Sequence, residues 1–360
     1  MTRPARVVID LQALRHNLHA VKRYAPAQKV MAIIKADAYG HGLERIAHHL
    51  TGADAFGVAC LEEAIRIREA GITHPIILLE GFFSFEELEQ LKSLNLQTVI
   101  HQHDQVSMIE HLSSEKAIKI WMKIDSGMHR LGFDPSEVQT IHQRLRGAKG
   151  CLNEIILMTH FASAQEHDQT SMEEQLNIFA SATADLEGER CLANSAAIIE
   201  WSRSHGDWIR PGLMLYGVSP FPDRSAEDLG LHPVMSLQSE LISIRQARKG
   251  DKVGYGGTWV CPEDMLIGVV AMGYGDGYPR HARSGTPMII NGQIASLIGR
   301  PSMDMLTVDL RQCADVRVGD KVILWGRELP IEEIALCAET IPYELLCGMR
   351  MRAKFVEING

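Results

Sequence analysis

The apolar run Val30-Met-Ala-Ile-Ile34 leads straight into Lys35 and a glycine-bracketed loop, Ala36-Asp-Ala-Tyr-Gly-His-Gly42. A lysine at the end of an apolar strand is costly as a cation unless something uses it. As a neutral amine it is the nucleophile that condensation with an aldehyde cofactor requires. The alternative is a side chain that snorkels out of the strand end, with Gly40 and Gly42 merely turning the chain. Four more polar clusters follow apolar runs: Lys123-Ile-Asp-Ser-Gly-Met-His-Arg130, Thr159-His160-Phe-Ala-Ser163, Asn194-Ser195 and Arg210-Pro-Gly-Leu213. Taken singly each is weak, and a lone His160 reads as a satisfied structural residue. Their shared place after a strand is the stronger signal.

The elements that must position these residues alternate. Short apolar runs read as strands at Val30–Ile34, Ala55–Ala59, Pro75–Leu79, Gln97–Ile100, Ile118–Ile124, Ile155–Thr159, Arg190–Ala193 and Asp207–Arg210. Between them lie helical patterns such as Leu61–Ala70, Phe85–Lys92 and Glu173–Ala180. Strand alternating with helix implies a parallel sheet with right-handed crossovers. Eight such units predict an α/β fold, a closed (β/α)8 TIM-type barrel, whose chemistry sits at the C-terminal ends of its strands. After about Pro233 the helical period fades, and β-rich runs appear between glycine turns: Leu266–Met272, Pro287–Ile290, Ile294–Ile298, Met305–Val308 and Lys321–Trp325. The expected organisation is a barrel over residues 1–232 and a mainly antiparallel β-domain over residues 233–360, to which residues 1–9 add a strand through Val7-Val-Ile9.

The totals narrow the function class. With 360 residues and 46% hydrophobic content, a barrel plus a smaller domain is affordable. A net charge of -9 argues against a nucleic-acid partner. No apolar run reaches about 18 residues, so no membrane span is expected. Residues 1–7 lack the apolar core of a signal peptide. The seven cysteines are scattered and form no C-x-x-C pair, which fits free thiols and a cytoplasmic location.

Six segments together carry a resemblance: Ala32–Gly42, Trp121–Gly132, Ile209–Gly217, Val253-Gly-Tyr-Gly-Gly-Thr-Trp259, Gly273-Tyr-Gly-Asp-Gly-Tyr278 and Ser302-Met-Asp-Met305. They resemble the alanine racemase family, isomerases that use pyridoxal 5'-phosphate, from about residue 5 to the C-terminus. The lysine motif is shared with other barrel-type pyridoxal-phosphate proteins. The segments around Tyr255 and Met303 are more specific.

The resemblance implies roles. Lys35 would hold the cofactor covalently and act as one of two bases. Tyr255, from the partner subunit of a homodimer, would be the other base on the opposite face of the substrate. Racemisation needs this pair, because one group removes the α-proton and the other returns a proton to the far face. His160 would assist Tyr255, with Arg210 behind it. Arg210 would also face the cofactor's ring nitrogen, keeping the ring a weaker electron sink and limiting transamination. Otherwise Arg210 is a buried structural ion pair.

For the phosphate, the matching anchors are Asn194-Ser195, the amides of Gly212 and Leu213 at a helix start, and the hydroxyls of Tyr39 and Tyr343. Arg130 and the backbone near Met303 would hold the substrate carboxylate. Lys123 matches a lysine that is carbamylated in some relatives and would orient Arg130. Asp304 would position the Met303 loop, and Tyr274 would narrow the entrance in favour of alanine. The bland readings are a core tyrosine for Tyr343, a surface pair for Arg130 and a packing tyrosine for Tyr274. No metal is implied. His101-Gln-His103 lacks acidic or cysteine companions, and Gly273–Tyr278 is not a G-x-G-x-x-G fingerprint.

Two departures stand out. Gln165 takes the place of an aspartate common near the entrance, and Ser302 that of a cysteine found in some relatives. The implied output is interconversion of L- and D-alanine, for peptidoglycan or for alanine catabolism. A non-enzymatic pyridoxal-phosphate carrier would need Lys35 and the phosphate anchors but neither the β-domain nor Tyr255. A two-domain amino-acid decarboxylase would need a C-terminal catalytic cysteine motif, which Cys347 does not form.

Overall fold

A computed structural model describes residues 3–113, 115, 117–166, 169–349 and 352–360. The chain divides into two units. One contains Asn17–Ala38 and Gly42–Leu215, and the other Met1–His16, Tyr39–His41 and Tyr216–Gly360.

The strand β1 (Arg6–Asp10) belongs to the second unit and forms where Val7-Val-Ile9 was read as an added strand. In the first unit eight parallel strands close into a barrel: β2 (Lys29–Ile33), β3 (Ala55–Val58), β4 (Ile76–Leu78), β5 (Leu96–Ile100), β6 (Ile118–Lys123), β7 (Cys151–Met158), β8 (Arg190–Cys191) and β9 (Trp208–Ile209). Closure comes from β2 on β9, with Lys29 opposite Trp208 and Val30 opposite Ile209. Strands covered on both faces read as continuous apolar runs, and every residue of β3 and β4 is buried. The predicted strand positions hold, with shifted ends. Strand β7 begins at Cys151, and β8 and β9 are only two residues long. The helices between them include Leu61–Glu69, Phe85–Ser93 and Thr170–Ala182. Each buries an apolar stripe, such as Leu61, Ala64 and Ile67.

The second unit is built on an eight-stranded sheet. Its strands are β1, β10 (Met235–Ala247), β13 (Met265–Val270), β14 (Pro287–Ile290), β15 (Gln293–Leu297), β16 (Leu306–Asp309), β17 (Lys321–Trp325) and β18 (Lys354–Ile358). A separate hairpin pairs β11 (Lys252–Val253) with β12 (Trp259–Val260). Strand β10 is the spine, pairing antiparallel with β1, β13 and β17. Among the described residues of this sheet, only the pairing of β1 with β18 is parallel. Two short helices, Ile331–Cys337 and Pro342–Cys347, interrupt the β-rich texture.

Candidate active site

In the barrel unit the polar residues collect after β2, β6, β7, β8 and β9, at the C-terminal ends of the strands. The chain leaves β2 by an unusual route. Ala36, Asp37, Ala38 and Tyr39 have φ of 54, 53, 54 and 52°, so residues after Lys35 form a left-handed helical turn. Such a turn costs about 1–2 kcal/mol per non-glycine residue. It persists because neighbours over-determine it. The Asp37 carbonyl accepts the Gly42 N–H at 2.9 Å, and the Asp37 carboxylate accepts the Leu43 N–H at 3.1 Å. Arg66 donates to the same carboxylate oxygen at 2.8 Å. Lys35 is half-buried at the head of this turn.

Arg210 is buried at the end of β9. Its Nη1 donates to the Cys191 carbonyl at 2.8 Å and lies 3.2 Å from Cys191 Sγ. Its Nη2 donates to the carbonyls of Thr159 at 2.7 Å and Leu192 at 3.0 Å, and faces His160 Nδ1 at 3.3 Å. Among the described residues, no carboxylate pairs with Arg210. The ion-pair alternative therefore fails: strand-end carbonyls hold this cation.

A guanidinium can only donate, so His160 Nδ1 must accept, which leaves any ring proton on Nε2. Burial, followed by the charges of Arg210, Lys123, Arg130 and Lys35, holds His160 well below the usual histidine range. The ring is therefore neutral at neutral pH. Lys123 is buried as well. Burial, with Arg210, Arg130 and Lys35 nearby, lowers its ammonium from 10.5 to about 8. Asp125 opposes this weakly, because its carboxylate is turned to the N–H groups of Gly127 and His129 at 3.0 Å each. Lys35, Lys123, Arg130 and Arg210 thus gather four basic side chains around one neutral histidine. Arg130 is exposed and has no ion-pair partner among the described residues, so the surface-pair alternative is not what the structure holds.

The phosphate anchors differ in one respect from expectation. Ser195 Oγ accepts the N–H of Gly212 at 3.0 Å and of Met214 at 3.4 Å. The Gly212 amide is thus already engaged. Leu213 opens a four-residue 3-10 turn, Leu213–Tyr216, not a longer helix. Asn194 caps the helix Ser195–Glu200, its Oδ1 accepting the Ala197 N–H at 3.1 Å.

The second unit holds the remaining residues. The rings of Tyr39 and Tyr343 lie 5.9 Å apart, and Tyr39 stacks on Tyr216 at 4.8 Å. Burial pushes both Tyr39 and Tyr343 up, so both phenols stay protonated donors. Tyr255 is 68% exposed on the 3-10 turn Tyr255–Gly257, where Gly256 takes φ 75°. Met303 is 52% exposed. Tyr274 opens the turn Tyr274–Asp276, with the Arg280 guanidinium 5.9 Å from its ring centre. Asp304 pairs with Arg352. His101 and His103 are spent on other partners, the Glu80 carbonyl at 3.0 Å and Glu137 at 3.3 Å.

Sequence reasoning missed Cys191, whose thiol sits under Arg210, and Asp276, a carboxylate with no solvent exposure. Asp276 lies within a segment singled out for its glycines. Its partners Arg3 and Arg352 are remote in sequence, so no local signal marks the cluster.

Comparison with known proteins identifies the family. The family model "Alanine racemase, N-terminal domain" matches residues 9–220, and "Alanine racemase, C-terminal domain" matches residues 234–357. The chain is similar to alanine racemase of Vibrio cholerae, with 49% identity over 97% of each chain. It is similar to the biosynthetic alanine racemase of Escherichia coli K12, with 47% identity over 98% of this chain and 99% of that one. The crystal structure of biosynthetic alanine racemase from Pseudomonas aeruginosa superposes with a TM-score of 0.96 at 44% identity, covering 99% of this chain and all of the other. That of Acinetobacter baumannii gives 0.94 at 37% identity, over 99% of this chain and 100% of that one. With both family models matched across nearly its whole length, this chain belongs to the alanine racemase family.

Proposed function

We propose that this chain interconverts L-alanine and D-alanine as a cytoplasmic homodimer carrying pyridoxal 5'-phosphate. Its barrel domain lies within about residues 1–232, and its β-domain covers about residues 233–360 with a strand added from residues 1–9. The reaction supplies D-alanine for peptidoglycan or feeds alanine catabolism. The observation that carries this reading is the cluster of four basic side chains, Lys35, Lys123, Arg130 and Arg210, around a neutral histidine at the strand ends. Such a site suits a ligand with a phosphate and a substrate with a carboxylate, and it supplies an amine at Lys35.

The donor set fits the cofactor. The Ser195 hydroxyl, whose oxygen already accepts the Gly212 N–H, the Leu213 amide, and the protonated phenols of Tyr39 and Tyr343 would offer hydrogen bonds to a phosphate. Arg210, fixed by three carbonyls, offers a permanent cation to a ring nitrogen. When bound, pyridoxal phosphate withdraws electrons from the α-carbon and makes its proton removable.

The chain's own residues do the rest. Lys35 moves a proton at the α-carbon on one face. Tyr255 of the partner subunit moves one on the other. Proton removal at one face and return at the other inverts the centre, and the exchange runs equally in both directions. His160 stays neutral with its proton on Nε2, and as a donor it stabilises the basic form of Tyr255. Arg130 and the backbone at Met303 hold the substrate carboxylate, and Tyr274 restricts the side chain admitted. Asp304 steadies the Met303 segment. Lys123, lowered to about 8, is partly neutral at physiological pH. That neutral amine can add carbon dioxide, and the resulting carbamate would be an anionic partner for Arg130.

Hybrid dimers test the shared site. K35A and Y255F should each be inactive alone. Mixed and reassorted one to one, they should recover about a quarter of wild-type activity, since half the dimers carry one intact site out of two. Recovery of deuterium exchange at the α-carbon of L-alanine supports the reading. No recovery from verified hybrids refutes the shared site, and an inactive wild type refutes the racemase reading itself.

A further inference from the structure

Asp276 is the only residue of the Gly273–Tyr278 segment whose charge is buried, at 0% exposure. Its Oδ2 accepts the Gly273 N–H at 2.9 Å and Arg3 Nη2 at 2.8 Å. Its Oδ1 faces Arg352 Nε at 3.0 Å. Both arginines reach on to Asp304: Arg3 Nη2 donates to its carbonyl, and Arg352 Nη2 to its carboxylate. Two cations and two anions therefore balance. A buried carboxylate is expensive unless so paired, and the pairing fixes the groups that make it.

The two segments tied together are irregular. The turn Tyr274–Asp276 and residues 301–305 belong to no sheet ladder. They touch backbone to backbone, the Tyr274 N–H donating to Ser302 O at 3.0 Å and the Gly275 N–H to Met303 O at 2.9 Å. The approach is so close that a Cβ at Gly273 would lie 2.4 Å from the Met303 carbonyl, and one at Gly275 would lie 2.8 Å from Arg352 Nη1. On this base Met303 is exposed and Tyr274 is partly buried.

We propose that Asp276, gripped by Arg3 and Arg352, is a positioning residue for racemisation. It sets where the Met303 backbone meets the substrate carboxylate and how far the Tyr274 ring closes the entrance. This rests on the roles proposed above for Met303 and Tyr274. Arg3 and Arg352 stand just before the paired strands β1 and β18, so the cluster anchors the two loops that carry substrate-facing groups to the sheet, through residues outside the motifs.

The test uses the cofactor-loaded dimer. Wild-type activity on L-alanine is measured first, and its absence would overturn the functional reading, not the clamp. With wild type active, R3A should raise KM for L-alanine by about 5- to 10-fold, the loss of roughly one positioned hydrogen bond, with kcat within about twofold. Activity on L-serine should rise relative to alanine as the entrance loosens. Methylguanidinium at millimolar concentration should restore KM, and R3K should lie between. R352A should repeat the pattern through the other anchor. KM and the serine ratio unchanged in R3A and R352A would overturn the clamp. So would a fall in kcat alone, tracking lost thermal stability, with no rescue by methylguanidinium.

Discussion

Replacing Lys123 by methionine should make the cofactor-free protein more stable while impairing it as an enzyme. The fall of the Lys123 ammonium from 10.5 to about 8 has burial as its first cause and the cations Arg210, Arg130 and Lys35 after it. At about 1.4 kcal/mol per pH unit, that fall means the native state gives up about 3 kcal/mol to hold this charge. The sign follows from proton counts. Below pH 8 both native and unfolded chains carry the proton, so the cost is fully present. Between about 8 and 10.5 the unfolded chain still holds a proton that the native one has released, and stability rises with pH. Above that window both are neutral and the cost is gone. Methionine fills a similar volume without charge. K123M should therefore gain about 2–3 kcal/mol at pH 7, with the gain shrinking toward zero near pH 10.5. The assay is urea unfolding of the cofactor-free protein at pH 7, 8.5 and 10, in buffer purged of carbon dioxide and at one protein concentration. The reasoning fails if K123M is less stable than wild type at pH 7, or if the difference does not change with pH. With carbon dioxide restored, 13C NMR of wild type should show a carbamate carbon that K123M lacks.

Other perturbations bear on the same site. K35A should lose both the cofactor's visible absorption and deuterium exchange at the α-carbon, and exchange surviving in K35A would remove Lys35 from its role. R210A leaves the carbonyls of Cys191, Thr159 and Leu192 without their buried donor, which should cost about 3 kcal/mol or more of stability. It should also raise the His160 pKa toward the ordinary range in a 15N NMR titration, because Arg210 is the largest charge acting on that ring after burial. An unmoved His160 would contradict this electrostatic account. G273A places a methyl against the Ser302 and Met303 carbonyls and should lower kcat/KM by about 10- to 100-fold through displacement of that segment. The control G250A meets open space and should lose only about 1 kcal/mol of stability, with activity unchanged.

Strand and helix positions in the barrel were legible because burial on both faces writes itself into sequence. A strand such as β3 must be apolar throughout, and a covering helix such as Leu61–Glu69 must repeat its apolar residues near 3.6. Closure then follows from eight units in succession, and with it the placing of Lys35, Lys123, His160, Ser195 and Arg210 at the strand ends. Three features were decided only by tertiary structure. The left-handed turn from Ala36 to Tyr39 runs against the local preference of alanine and tyrosine, and it stands because Asp37 is held by Gly42, Leu43 and Arg66. For Arg210 the sequence left a buried ion pair open as the alternative to a cofactor contact, yet its protein partners are carbonyls, which every residue has and no residue type announces. Asp276 carries no mark in the sequence beyond its place in a glycine-rich segment, yet it lies at the centre of a charge cluster whose arginines stand at positions 3 and 352. Periodicity reports which face of an element is buried. It carries no information about which distant backbone atom or charge will lie opposite, and here such charges add to burial in lowering His160 and Lys123.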